Sequence, residues 1–151
     1  MPNYILDTCV DIDPKHSNYP DYFFKDLLSN TRVKLVIGGT KALSEAKAKA
    51  KLTELLNNLR DRNQVTIVSQ EKVDEAEDRL AKRIHEIIGD TPPECDDLHI
   101  FALANVSGCL LVISRDNRMA TCRNNIRNRV GHEYCPDISV IQNEAAYKKT
   151  K

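Results

Sequence analysis

Five short runs of branched and aliphatic residues punctuate the chain, at 4–6, 33–37, 65–68, 110–113 and 138–141. They are largely apolar stretches rather than clean alternations with polar residues, which is the pattern of strands covered on both faces. Helical spacing fills the gaps. Residues 22–28 follow Pro20, and residues 42–59 carry Leu52, Leu55, Leu56 and Leu59. Residues 71–88 carry Val73, Ala76, Leu80, Ile84 and Ile87 on one stripe, with Gly89 as a stop. A last helix over 97–105 follows the breaker pair Pro92 and Pro93. Strand and helix in alternation predict an α/β fold, a three-layer α/β/α sandwich with a mainly parallel central sheet. At 151 residues the chain reads as one domain, 1–151, long enough to bury a core.

Composition narrows the classes of function. Lys+Arg and Asp+Glu both total 22, so only local charge can argue for a nucleic-acid partner. No apolar run approaches the length of a bilayer span, and the N-terminus lacks the basic-then-apolar layout of a signal peptide. A cytoplasmic protein without membrane association is the expectation. The five cysteines are odd in number and contain no C-x-x-C pair, which fits reduced thiols better than a disulfide scaffold. Cys122, His132 and Cys135 match no common zinc spacing and read as ordinary thiols and a surface histidine. The lysine-rich tail over 148–151 reads as frayed and solvated.

In open parallel sheets, functional groups gather outside the carboxyl ends of the strands. Four acids fall there. Asp7 directly follows the first strand, and Glu45 lies in the first turn of the helix after Gly38 and Gly39. Asp97 opens the helix after the double proline, and Asp116 sits just past the fourth strand. Counting back seven from Leu52 sets Glu45 within about 20° of the apolar stripe, at about 100° per residue. Asp97 shares a face with Phe101 and Ala104. Acids so placed repel one another and lose hydration unless something compensates. Clustered carboxylates without softer ligands favour a hard ion, Mg2+ or Mn2+. Each acid also has a bland role. Glu45 could complement a helix dipole, Asp96 or Asp97 could be an N-cap, and Asp116 and Asp7 could shape turns. The preferred assignment has Asp96 capping the helix and Asp97 facing the site.

The stretches YILDTCVD, LSEAK and DLHIFALANVSGCLLVISRD together resemble the PIN-domain nuclease family, which includes many bacterial toxin ribonucleases. Asp7 and Thr8 match the Asp-Thr that ends the family's first strand, and Glu45 matches a glutamate on the core-facing helix that follows. Asp97, Ile100, Ala102, Ala104, Gly108, Ser114 and Asp116 fill the third motif, the most specific of the three. The resemblance covers nearly the whole chain. Cys9, Asp11 and Asn117 depart from it, the last where some members add a further acid. It implies that Asp7, Glu45, Asp97 and Asp116 are the catalytic groups. They would also be ligands, directly or through water, of one or two Mg2+ or Mn2+ ions. The implied reaction is endoribonuclease cleavage of RNA phosphodiester bonds by the toxin of a toxin–antitoxin pair. RNA is then the substrate, and an antitoxin protein and a second copy of the chain are the candidate protein partners.

An acidic pocket repels a polyanion, so a nuclease needs positive charge beside it. The stretch SRDNRMATCRNNIRNR supplies Arg115, Arg118, Arg123, Arg127 and Arg129, while Lys41, Lys47, Lys49 and Lys51 flank Glu45. Arg115, Arg118 and Arg123 are read as substrate-binding. So are the hydroxyls of Thr8 and Ser114, which could instead satisfy backbone at turns. With no Trp and few aromatics, contacts to phosphate and RNA shape are expected to outweigh base stacking. A phosphotransferase of the haloacid-dehalogenase type would need an acid where Cys9 stands. The stronger alternative is a catalytically weak PIN-like RNA-binding or assembly module, against which the intact acidic quartet argues.

Overall fold

In the middle of the sheet, neighbouring residues belong to opposite cores. The computed structural model describes residues 3–7, 10, 13–15 and 19–151. Within β1 (Asn3–Leu6), Tyr4 packs into one apolar cluster and Ile5 into the other. Leu35 and Val36 of β2 (Lys34–Gly38) divide in the same way, as do Val112 and Ile113 of β4 (Leu111–Ile113). Both faces are therefore covered, which is why these strands carry no polar alternation. One cluster is built with Phe23, Phe24 and Leu27 of α1 (Asp21–Ser29), Leu59 of α3 (Ala50–Asp61) and Tyr147 of α7 (Glu144–Lys148). The other holds Leu80 and Ile84 of α4 (Gln70–Ile87), Phe101 of α5 (Leu98–Ser107) and Ile126 of α6 (Asn117–Val130). The fold is an α/β/α sandwich.

The strands lie in the order β3-β2-β1-β4-β5, all parallel, with β3 at Val65–Val68 and β5 at Ser139–Ile141. The chain winds outward from β1 to β3, then returns through α4 and α5 to set β4 on the other side of β1. The direction of winding thus reverses between β1 and β4. At such a switch point the flanking loops part and leave a crevice beyond the carboxyl ends of the strands.

Several expectations need correction. The helix expected over 42–59 is two helices, α2 (Thr40–Lys47) and α3, separated where Lys49 is extended at φ −115° and ψ 104°. The Thr53 hydroxyl donates to the Ala46 carbonyl at 3.0 Å and closes the end of α2. Glu45 consequently sits past the first turn of α2, and a heptad counted back from Leu52 crosses from one helix to another. The basic stretch after Asp116 forms α6, and the tail is docked rather than frayed. There Tyr147 is buried, its hydroxyl donates to Asp26 at 2.5 Å, and Lys151 pairs with Asp26 at 2.6 Å. Thiols were expected, yet Cys95 and Cys122 form a disulfide between the loop before α5 and the inner face of α6. Burial of both partners with Cα atoms 5.1 Å apart depends on tertiary placement, which cysteine spacing does not reveal. Cys109 and Cys135 are free and buried. The bridge takes Cys122 out of any zinc set and removes thiol usage as an argument for a reducing compartment. Among the described residues, no helix is long and apolar enough to cross a membrane.

Gly39 fixes how α2 leaves the sheet. Its φ of +91° suits glycine, and a Cβ there would stand 2.8 Å from Val73 Cγ1. The first turn of α2 is satisfied from outside, because Asp74 accepts from the Thr40 backbone N–H at 2.9 Å and from its hydroxyl at 2.6 Å. Gly39→Ala is expected to destabilise the fold by about 2 kcal/mol or more, combining a strained φ with the clash. Urea denaturation of both proteins checks this, and an unchanged midpoint would refute it.

A candidate metal centre at the switch point

The residues that follow β1 and β4 are bound to each other. The backbone N–H of Asp7 donates to the Ile113 carbonyl at 3.0 Å and carries the ladder one residue past β1. Its carboxylate is only 2 % exposed and accepts the Ser114 hydroxyl at 2.8 Å. The same hydroxyl accepts the backbone N–H of Asp116 at 3.0 Å. Ser114 therefore joins the acids of two strands. Thr8 lies outside the described residues, as do Cys9 and Asp11.

Asp116 is the N-cap of α6, its Oδ1 accepting the Arg118 backbone N–H at 2.9 Å. Burial works against its charge, but the side-chain and backbone hydrogen bonds from Arg118 outweigh that. They hold the carboxyl below the usual range. The caps of α5 are arranged differently from expectation. Asp97, not Asp96, occupies the N-cap position, and its side chain makes no capping hydrogen bond. Instead the carboxyl faces other acids. One ligand-capable oxygen each from Asp96, Asp97 and Asp116 lies within 4.8 Å of the others. Burial first, then the charges of Asp7, Asp96 and Asp116, push the Asp97 carboxyl up to about 6, partly relieved by Lys41. A cation bound among these acids would relieve that perturbation.

Of the four predicted ligands, Asp97 and Asp116 stand together and Asp7 is close enough for its charge to act on Asp97. Glu45 is outside the group of three, with Oε2 4.0 Å from His99 Nε2. Asp96 joins the group where a helix cap was expected. Comparison of the chain with protein-family models, with curated proteins and with solved structures gives no match. The site must be read from its own chemistry.

Two cations of the chain already touch the cluster. Lys41 Nζ donates to the Asp96 carbonyl at 3.0 Å. The Arg118 guanidinium lies 3.0 Å from Asp96 Oδ2 and 3.3 Å from both Asp116 oxygens. Arg118, expected to bind substrate, is thus engaged with the acids. Arg123 is placed elsewhere, donating to the Ile138 carbonyl at 2.6 Å and to Asn124. Arg115 and Lys25 line an open cleft of about 370 Å³ together with Tyr19, Tyr22 and the acids Asp21 and Glu144.

The three converging carboxylates could hold a metal ion, and burial together with the neighbouring acids makes Asp97 the one that most readily keeps its proton. Arg118→Gln removes a competing cation, so Mn2+ affinity should rise roughly threefold to tenfold at low salt, a gain that shrinks as salt screens it. Calorimetric titration at two ionic strengths measures both; weaker binding would contradict this placement of Arg118. Sequence reasoning assigned Asp96 to the helix cap and missed His99. The Asp96–Asp97 doublet, and a histidine inside the apolar run LHIFALA, were the available signals.

Proposed function

We propose that this chain is a divalent-metal-dependent endoribonuclease. The observation that carries the proposal is the convergence of Asp7, Asp96, Asp97 and Asp116 at the point where the sheet reverses its winding. Asp97 and Asp116 would hold the ion with Asp96, while Asp7 and Glu45 act beside them. A bound divalent ion supplies an activated water and charge neutralisation on the phosphodiester during in-line attack. The chain's own residues do the positioning. Ser114 orients Asp7, Asp97 releases its proton when the cation binds, and Arg115 offers a phosphate contact in the cleft that it lines. The resemblance to PIN-domain nucleases points the same way, and with it a cytoplasmic toxin held by an antitoxin protein, acting singly or as a homodimer.

Arg118 favours a second reading. Its guanidinium already neutralises Asp96 and Asp116, as expected of a metal-free RNA-binding or assembly module. Cleavage of a mixed RNA pool in Mn2+ or Mg2+ separates the two. The nuclease reading expects cutting that stops in EDTA and in both Asp7→Asn and Asp97→Asn. Cutting that survives both substitutions refutes this site, and RNA binding without any cutting supports the module.

A further inference from the structure

His99 lies in the first turn of α5, the start of a run, His99 to Ala104, in which every residue is buried. The ring is 2 % exposed. A buried imidazole ordinarily makes a hydrogen bond at each nitrogen. Here neither Nδ1 nor Nε2 has a partner among the described residues. Nε2 instead faces Glu45 Oε2 across 4.0 Å. That gap is too long for a hydrogen bond. It is close to twice a metal–ligand bond of about 2.0–2.2 Å, so a cation between the two atoms would reach both.

We propose that His99 and Glu45 form a mixed nitrogen–oxygen subsite for a divalent transition ion, beside the all-oxygen group of Asp96, Asp97 and Asp116. The proposal rests on the reading of that group as a metal centre and adds selectivity to it. Imidazole suits borderline ions, whereas Mg2+ takes oxygen ligands, so Mn2+ or Zn2+ should be held here in preference to Mg2+. The side chain of Glu45 is 37 % exposed, while His99 is fixed by its helix.

Pulsed electron paramagnetic resonance of Mn2+ bound to the purified chain tests this directly. Wild type is expected to show 14N coupling from a directly bound imidazole. His99→Gln should lose that coupling, with Mn2+ affinity falling about tenfold and Mg2+ affinity changing by less than about threefold. Bound Mn2+ without nitrogen coupling overturns the subsite and leaves the acid cluster standing, as does coupling that persists in His99→Gln. No bound Mn2+ in wild type overturns both. Should His99→Gln fail to fold, Zn2+ titration of wild type followed by imidazole 15N shifts decides the matter. Movement of a His99 ring nitrogen at saturation supports the subsite, and an unmoved ring overturns it.

Discussion

Asp97→Asn is expected to stabilise the protein while weakening Mn2+ binding by about a hundredfold or more. Both effects come from the same carboxyl. In the folded chain its pKa is raised to about 6, above the 3.8 of an unperturbed aspartate, so the folded state favours the protonated acid. Below the unfolded value the acid is neutral in both states and makes no difference. As pH rises from about 4 to about 6 the unfolded chain ionises more readily, and stability falls. Above that the penalty is complete and constant. A shift of this size would correspond to about 3 kcal/mol at full burial, but the group is half exposed, and solvent screening reduces the effect to about 1–2 kcal/mol. Denaturation at pH 7 and pH 4 measures it. The variant should be more stable than wild type at pH 7, and the two should converge at pH 4. Mn2+ affinity of wild type should fall below pH 6, because the ion must displace the proton. A variant that is destabilised at pH 7, or that binds Mn2+ as wild type does, would remove Asp97 from the site.

Reducing the Cys95–Cys122 bridge is expected to cost about 3.5 kcal/mol, the loop-closure value for a 27-residue separation. For a chain of this length that lowers Tm by on the order of 10 °C. The bridge joins the residue directly before Asp96 to the turn of α6 that follows Arg118, so it holds two walls of the acid cluster together. Mn2+ affinity should therefore fall on reduction as well. Melting curves with and without a dithiol reductant, read beside Mn2+ titrations, test this. An unchanged Tm with Cys95 and Cys122 both titrating as thiols would restore the expectation drawn from cysteine spacing.

The central strands were legible because burial on both faces leaves an unbroken apolar run. β1 and β2 lie where such runs occur, β3 does so at the sheet edge with its residues exposed or half-buried, and β4 differs only in that Leu110, 40 % exposed, stands outside it. α6 was hidden by its arginines and asparagines. Its inner face is nevertheless Met119, Cys122, Ile126 and Val130, spaced as a helix requires, and that stripe could have been read. The break between α2 and α3 has no such mark, since neither Gly nor Pro stands at 48–49 and a tertiary hydroxyl contact ends the first helix. Asp7, Asp97 and Asp116 were legible from their places after strands or before helices. Which of Asp96 and Asp97 caps α5 was not, because adjacent residues of one type differ only in backbone angles. Arg118 folding back onto Asp96 was equally invisible, being a contact between residues far apart in the chain.

Anomalous scattering from crystals soaked in Mn2+ at pH 7 is the most direct measurement. A peak is predicted among the carboxylates of Asp96, Asp97 and Asp116, beyond the carboxyl ends of β1 and β4, and it should vanish in Asp97→Asn. No peak there at saturating Mn2+, with those acids contacted only by Arg118 and Lys41, would contradict a metal centre in this protein.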